Sequence, residues 1–275
     1  MPSKIISQEL KQEIVNEYLK QPVSLQNMTK RFNLCSPTIS KILHEANIEI
    51  YSKSRVLNPN MNENYFSNID DEHKAYYIGL IIADGNIFQK NNLSNTMKLS
   101  ITLHDGDEYI LEQLISDLCS SNSITNDGRG CSEIGFSNTK LCKDLEQYGI
   151  VPRKSLITYL PTNIPDDLMR HLIRGLIDGD GSIRFVRPPR RCEKYISLCG
   201  THRLMQEVLD YLYEHKIIKI HKQVYDYKNS SVSEFKISNK DDIYSLGEWL
   251  YKDATIYLKR KKEIYDSFKE YYNLD

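Results

Sequence analysis

Two apolar segments, residues 75–87 and 171–183, are near copies of each other, and this duplication constrains the fold more than any other feature of the chain. Each segment has the composition of a buried helix and ends on aspartate followed by glycine, Asp84-Gly85 in the first and Asp180-Gly181 in the second. Internal repetition of this kind indicates a chain built from similar structural units. We therefore expect two related halves, each beginning with one of these helices.

Small residues occupy equivalent places in both predicted helices. In each helix they are four positions apart, so they share one face; they are Gly79, Ala83, Gly175 and Gly179. Larger side chains keep helix axes about 8–10 Å apart, whereas these small ones let two backbones meet. The spacing predicts that the two helices pack on each other by these faces.

Asp84 and Asp180 fall in the last turn of their helices, where the helix dipole disfavours an anion. If the helices pack as expected, the two carboxylates lie side by side and need a cation between them. Carboxylates completed by water favour Mg²⁺, and we expect that Mn²⁺ can substitute. Gly85 and Gly181 fit the left-handed residue that closes many helices.

The two segments resemble the LAGLIDADG motif of homing endonucleases. The second copy, IRGLIDGDG at 173–181, is close to the consensus, and the first, YIGLIIADG at 77–85, has Ile82 where the family has an acid. The acid at the eighth position, which the family uses for catalysis, is present in both copies. One copy alone would fit a buried helix with an Asp-Gly turn equally well, but two copies favour the motif. Two motifs in one chain imply the monomeric, pseudo-twofold form of the family.

Strand and helix patterns follow both motif helices in the same order. The strand at 98–104 alternates apolar and polar residues and is matched by 194–198. The pattern predicts an α+β fold of two αββαββα repeats, at 72–160 and 166–270, within a domain at 72–275. The resemblance implies that these repeats form a DNA-binding saddle.

Residues 1–57 have the pattern of a small all-α domain, and residues 58–71 that of a polar linker. Helices are predicted at 7–20, 24–32 and 37–46.

The turn between the last two helices resembles that of a helix-turn-helix. It contains Asn33, which tolerates a left-handed conformation, and we expect Ser36 to cap the third helix. The residues that would begin or line a recognition helix in the major groove are Ser36, Thr38, Ser40 and Lys41. A plain three-helix bundle without DNA contact is the alternative.

One face of each predicted sheet is polar and basic. Solvation explains one such strand, but two related sheets favour a surface for duplex DNA, whose major groove admits a two-stranded ribbon. The residues predicted to contact DNA on this surface are Lys98, Ser100, Thr102, His104, Arg184, Arg187, Arg190 and Arg191. The net charge of −1 gives no support, but both ends of the chain are basic and the acidic excess lies in the middle.

The resemblance implies a site-specific double-stranded DNA endonuclease of the homing type, acting as a monomer on a long, asymmetric target. Asp84 and Asp180 would hold the metal for hydrolysis of one phosphodiester in each strand. In the family a lysine near the end of each repeat lies close to the scissile phosphate. Lys154 and Lys259 occupy the matching basic segments, with Lys261 as a competitor for the second place and Arg153 as a further alternative. A non-catalytic DNA-binding regulator and an RNA maturase assisting intron splicing remain alternatives.

Cysteine usage and hydropathy bear on the compartment. The six cysteines include no C-x-x-C pair, so neither a zinc ribbon nor a disulfide framework is indicated. The start of the chain lacks an apolar signal region, and no run approaches the ~18 apolar residues of a membrane helix. We expect an intracellular, reducing compartment and no membrane partner.

Overall fold

The computed structural model describes residues 6–21, 23–51, 56–89, 96–187 and 193–274. It divides into two compact units: the chain up to Asn62 together with Cys119–Ser121, and Glu63–Leu118 together with Asn122–Asp275. None of the helices in the described ranges is long and apolar enough to cross a membrane.

In the described part of the first unit, helices lie at α1 (Gln8–Lys20), α2 (Leu25–Phe32) and α3 (Ser36–Glu45). Their apolar faces meet in one core of Ile14, Tyr18, Met28, Ile39, Ile42 and Leu43. The turn conformation predicted at Asn33 is confirmed, with a φ of 52°. The cap predicted at Ser36 is wrong: Cys35 is the N-cap residue, and Ser36 is already in the helix.

The second unit is an α+β structure, as predicted. Its first half comprises α4 (Glu72–Asp84), β1 (Gly85–Gln89), β2 (Met97–His104), α5 (Glu108–Asp117), β3 (Thr125–Asn126), β4 (Cys131–Phe136) and α6 (Thr139–Glu146), with a 3₁₀ turn at Lys154–Leu156. Its second half comprises α7 (Asp166–Asp180), β5 (Gly181–Val186), β6 (Glu193–Gly200), α8 (His202–Glu214), β7 (Tyr225–Asp226), β8 (Ser233–Ile237), α9 (Lys240–Tyr251) and α10 (Lys259–Tyr272).

The two halves have the same topology. Each has an antiparallel four-stranded sheet, in the orders β1-β2-β4-β3 and β5-β6-β8-β7. The register is equivalent as well, because the glycine after each motif helix pairs with an apolar residue of the next strand, Gly85 with Ile101 and Gly181 with Leu198. The halves differ at their ends, where the long helix α10 stands in place of the short 3₁₀ turn.

The segment predicted as a linker, 58–71, is not a free tether. Tyr65, Phe66 and Ile69 are buried in the second unit, and the ring of Tyr65 lies edge-on to that of Phe66. Burial of these apolar side chains outweighs the polar composition that suggested a linker. The division between the compact units falls at Asn62/Glu63, inside the predicted linker.

Candidate active site

Helices α4 and α7 pack backbone to backbone. A Cβ atom added to Gly79 would lie 2.8 Å from the amide nitrogen of Leu176, and one added to Gly175 would lie 2.8 Å from that of Leu80. Real Cβ atoms do not approach backbone so closely. The structure thus places these glycines at a helix contact that excludes any side chain.

The ends of the two helices differ from the expected geometry. Gly85 has φ −81° and Gly181 has φ −96°, both extended, so the prediction of left-handed closure is wrong. Each helix passes directly into a strand that begins at the glycine itself. A Cβ there would lie 2.7 Å from the carbonyl oxygen of Ile81 or 2.5 Å from that of Ile177. These positions need glycine for space rather than for a special φ.

The arrangement brings Asp84 and Asp180 together at the ends of the packed helices. A Cβ on Gly179, the residue before Asp180, would lie 2.9 Å from Oδ2 of Asp84. Burial, followed by the charge of Asp180, raises the pKa of Asp84 to about 6. Burial also raises the pKa of Asp180, against the effect of two nearby lysines. Two carboxylates held in this way disfavour their own charge unless a cation joins them.

Lys154 is the first of those lysines. It is buried, and its Nζ donates to the carbonyl oxygen of Ile82, at 2.7 Å, in the last turn of α4. Burial lowers the pKa of Lys154, while Asp180 and Asp84 raise it. In the described part of the chain this carbonyl is the one hydrogen-bond acceptor of its ammonium group.

The second lysine is Lys261, not Lys259. Nζ of Lys261 donates to three carbonyl oxygens at the end of α7, those of Ile177 at 2.6 Å, Asp178 at 2.7 Å and Gly181 at 2.6 Å. Burial lowers its pKa to about 8. These three acceptors take up all three N–H groups of the ammonium.

Lys259 lies away from the carboxylates, with its Nζ 4.3 Å from the centre of the Tyr109 ring. The assignment of Lys259 to the site is therefore corrected. Helix α10 begins at Lys259, and a shift of two positions in a helix turns a side chain to nearly the opposite side. Lys261, the competitor that the sequence left open, is thus the lysine of this segment that lies at the carboxylates, and a catalytic role for either lysine stays a prediction.

Asp178, the sixth motif position, accepts hydrogen bonds from the Tyr76 hydroxyl at 3.0 Å and from the Leu258 amide at 2.8 Å. Burial raises its pKa to about 6. Through these contacts Asp178 joins α7 to α4 and to the residue before α10, which is a structural role. Its counterpart in the first half is apolar, Ile82, so the two halves differ here.

Sequence reasoning missed Arg174, which is fully buried. It donates to the carbonyl oxygens of Leu250 and Ile256 and to Glu72, and so ties the start of α4 to the segment before α10. The signal was present, since an arginine within an apolar helix needs buried acceptors.

The donor set of the two aspartates fits Mg²⁺. Across the described ranges, no group of three or more His, Cys, Asp or Glu side chains could hold a metal. Mg²⁺ is commonly bound through one or two carboxylates, with water and substrate phosphates as the remaining ligands. The pair therefore suits a metal that is completed by a phosphate-bearing substrate.

Five of the residues predicted to contact DNA lie on the open faces of the two sheets, four in β2 and Arg184 in β5. In β2, Lys98, Ser100, Thr102 and His104 alternate with the buried residues. Arg184 is exposed and pairs with Glu193 at 2.9 Å. Arg187 follows β5 and donates to Glu270 and to the carbonyl oxygen of Ser267, both in α10, so it lies on the side of the sheet that packs on this helix and not on the open face. Arg190 and Arg191 lie outside the described residues.

The predicted recognition residues Ser36, Thr38, Ser40 and Lys41 all lie on α3. The hydroxyl of Thr38 is 2.9 Å from the thiol of Cys35. Lys41 is exposed and 4.0 Å from Glu45. Their contact with DNA stays a prediction.

Comparison with solved structures identifies the fold. A LAGLIDADG meganuclease, I-AabMI bound to uncleaved DNA, aligns with a TM-score of 0.51 at 15% identity, over 74% of this chain and 91% of that one. I-SmaMI, a LAGLIDADG homing endonuclease bound to cleaved DNA, aligns with a TM-score of 0.50 at 13% identity, over 74% and 89%. I-SmaMI bound to uncleaved DNA in the presence of calcium ions aligns at 0.52 and 11%, over 75% and 94%.

No family model and no curated protein matches the sequence. The solved structures confirm that the chain has the LAGLIDADG homing endonuclease fold, while at such identities they bear on the fold alone.

Proposed function

We propose that this protein is a site-specific double-stranded DNA endonuclease of the homing type, which hydrolyses one phosphodiester in each strand. The observation that carries the proposal is the pair Asp84 and Asp180, side by side at the ends of two packed helices. A pair of like charges with raised pKa values has no evident structural use, because it destabilises the free protein. Raised carboxylate pKa values in such a place favour a functional site.

The two aspartates would hold Mg²⁺, with Mn²⁺ as a substitute. When bound, the metal supplies positive charge for the phosphate and acidity for the attacking water. The resident lysines act differently. Lys261 fixes the end of α7 through its three carbonyl acceptors, and so sets the position of Asp180. Lys154 places a cation beside both carboxylates and can donate to a phosphate oxygen that enters the site.

Duplex DNA is the proposed partner. The polar faces of two equivalent antiparallel sheets, which carry Lys98 beside Glu133 and Arg184 beside Glu193, suit the major groove on either side of a central cleavage site. The three solved structures compared above, of I-AabMI and I-SmaMI, are bound to DNA. The chain carries both repeats, so one copy would supply both aspartates, and a monomer suffices. A helix-turn-helix in the first unit would extend the contact to one side.

Selection of cleaved sites from a random duplex library tests the proposal. The full-length protein with Mg²⁺ should enrich one long asymmetric sequence and cut both of its strands, and EDTA should stop the reaction. Enrichment of a bound sequence that is never cut would instead support the regulator. An intron-splicing assay run beside it addresses the maturase.

A further inference from the structure

The two sheets carry an aromatic residue and a cation at the same place, but in exchanged order. Phe88 on β1 pairs directly with Lys98 on β2. Arg184 on β5 pairs directly with Tyr195 on β6. Phe88 and Arg184 each lie three residues after the glycine that ends the motif helix. They are therefore equivalent positions of the two halves.

Both pairs lie on the open faces of their sheets. In β1 the buried residues alternate with exposed ones, and Phe88 is 59% exposed. In β5, Arg184 is exposed beside the buried Ile183. Directly opposite residues of antiparallel strands project from the same face, so Lys98 and Tyr195 share these surfaces.

The two sheets also differ on the next strand, β4 in the first sheet and β8 in the second. In the first sheet, Lys98 lies over Gly135, where an added Cβ would be 2.8 Å from its Nζ. In the second, Lys236 replaces that glycine in the register, and its Nζ is 4.1 Å from the centre of the Tyr195 ring. The first sheet thus has an apolar ring, Phe88, on its edge strand β1 and a cation, Lys98, on the neighbouring strand β2. The second sheet has a cation, Arg184, on its edge strand β5, and the Tyr195 ring on β6 lies between Arg184 and Lys236.

Acidic neighbours do not block these cations. Lys98 pairs with Glu133 at 3.3 Å and Arg184 with Glu193 at 2.9 Å, and all four side chains are more than 40% exposed. Exposed ion pairs contribute little and exchange readily for other partners.

Resting on the proposed function, we propose that Phe88 and Arg184 make the two half-sites specify different bases at equivalent positions. In the major groove an apolar ring recognises the 5-methyl group of thymine, whereas arginine recognises O6 and N7 of guanine. The first half-site has a thymine opposite Phe88, and the second has a guanine opposite Arg184.

The test uses the full-length protein and its selected site, in Ca²⁺ so that binding is read without cleavage. Each thymine is replaced in turn by deoxyuridine, which removes one methyl group. At one thymine, which lies in only one of the half-sites, this replacement should lower the affinity of the wild-type protein for the duplex about fourfold, the loss expected for one buried methyl group. Phe88→Ala should bind the thymine and deoxyuridine duplexes equally. Phe88 is exposed, so this variant should melt at the wild-type temperature.

The second part of the experiment tests Arg184 in the other half-site. Each guanine is replaced by 7-deazaguanine, which removes the N7 acceptor. One guanine of the second half-site should lose at least tenfold in affinity with the wild-type protein, and Arg184→Ala should abolish that difference. Phe88→Ala should keep the guanine effect, and Arg184→Ala should keep the thymine effect.

The proposal is overturned if no deoxyuridine penalty depends on Phe88, or if both variants abolish the same base preference. It also falls if no duplex is bound or cut, but that outcome removes the proposed function itself. The two failures are distinguishable, because the first occurs with a wild-type protein that cuts its selected site.

Discussion

Asp84 and Asp180 are the residues on which the proposed chemistry depends, and their removal separates cutting from binding. Asp84→Asn and Asp180→Asn keep the shape of the side chain and remove the charge that would hold the metal. We expect each variant to lose double-strand cleavage by at least ~10³-fold while DNA affinity in Ca²⁺ changes less than about threefold. Gel assays of end-labelled duplex measure both. Normal cutting by either variant would contradict the metal-site assignment.

The same carboxylates predict a pH dependence of stability in the metal-free protein. Burial and Asp180 raise the pKa of Asp84 to about 6 from an ordinary 3.8, so its charged form destabilises the folded state. This destabilisation is complete above pH 6 and disappears as the pH falls towards 4. In EDTA, Asp84→Asn should therefore melt above wild type at pH 8, and the difference should shrink between pH 6 and pH 4.

Asp70 is the control for this measurement. It is an exposed carboxylate whose pKa is lowered by its hydrogen bond to Lys74. Asp70→Asn should give no rise in Tm at pH 8. An equal rise for both variants would mean that the effect comes from net charge and not from burial.

Lys261 and Lys259 lie in the same helix and form a matched pair for mutation. Lys261→Met removes a buried donor from three carbonyl oxygens at the end of α7, of which that of Ile177 keeps the Gly181 amide as a second donor. An unsatisfied buried acceptor costs ~1–3 kcal/mol. We expect a loss of at least ~2 kcal/mol in the free energy of unfolding, measured by denaturant titration. Lys259→Met, which removes only an exposed contact with Tyr109, should lose less than ~0.5 kcal/mol. Equal losses would show that Lys261 has no special place in the fold.

At the level of the elements, the contact between α4 and α7 predicts that even one methyl group is too large. Gly175→Ala places a Cβ against the backbone of Tyr76 and Leu80, which cannot move without separating the helices. Overpacking of this kind costs ~1–3 kcal/mol or more. Gly106→Ala is the control, since its Cβ would meet only the side chain of His104, at 3.3 Å. Thermal melts of the two variants should differ by several degrees, and coincident melts would rule out a tight helix contact.

The elements also mark where sequence reasoning succeeds and where it stops. Strand alternation in β2 and the duplicated glycine spacing are local patterns, and both predicted the packing correctly. The sequence could not predict which face of α10 is turned towards the site. Lys259, Lys261 and Lys262 are equally basic, and only tertiary contacts decide which of them is buried. The glycines after α4 and α7 were misinterpreted for a related reason, since their constraint is space against the preceding turn and not φ.

At the scale of the whole molecule, the division between the two compact units falls inside the segment predicted as a linker, but much of that segment is packed and not free. Residues 58–71 are polar in composition, yet Tyr65, Phe66 and Ile69 pack into the second unit. A few apolar residues in a polar segment give no periodicity to read. Their burial depends on contacts with later segments: the ring centre of Tyr65 is 6.5 Å from that of Tyr77 in α4, and the Gln147 side chain donates to the carbonyl oxygen of Phe66.

The division at Asn62/Glu63 sets the fragment with which the role of the first unit can be tested. A fragment 63–275 keeps Tyr65 and Phe66, and it should fold alone and cut the selected site, because both aspartates and both sheets are in it. It should bind more weakly than the full chain, because a tethered second module raises the effective concentration at its site. The slope of log K against log salt should be shallower by ~0.9 for each phosphate that the fragment no longer neutralises. The footprint should shorten on one side only, since a single three-helix unit breaks the twofold symmetry of the repeats.

Anisotropy titrations at several salt concentrations, together with footprinting, measure the affinity, the salt slope and the footprint. If fragment and full chain agree in affinity, salt slope and footprint, α1–α3 form a helical bundle that does not read DNA.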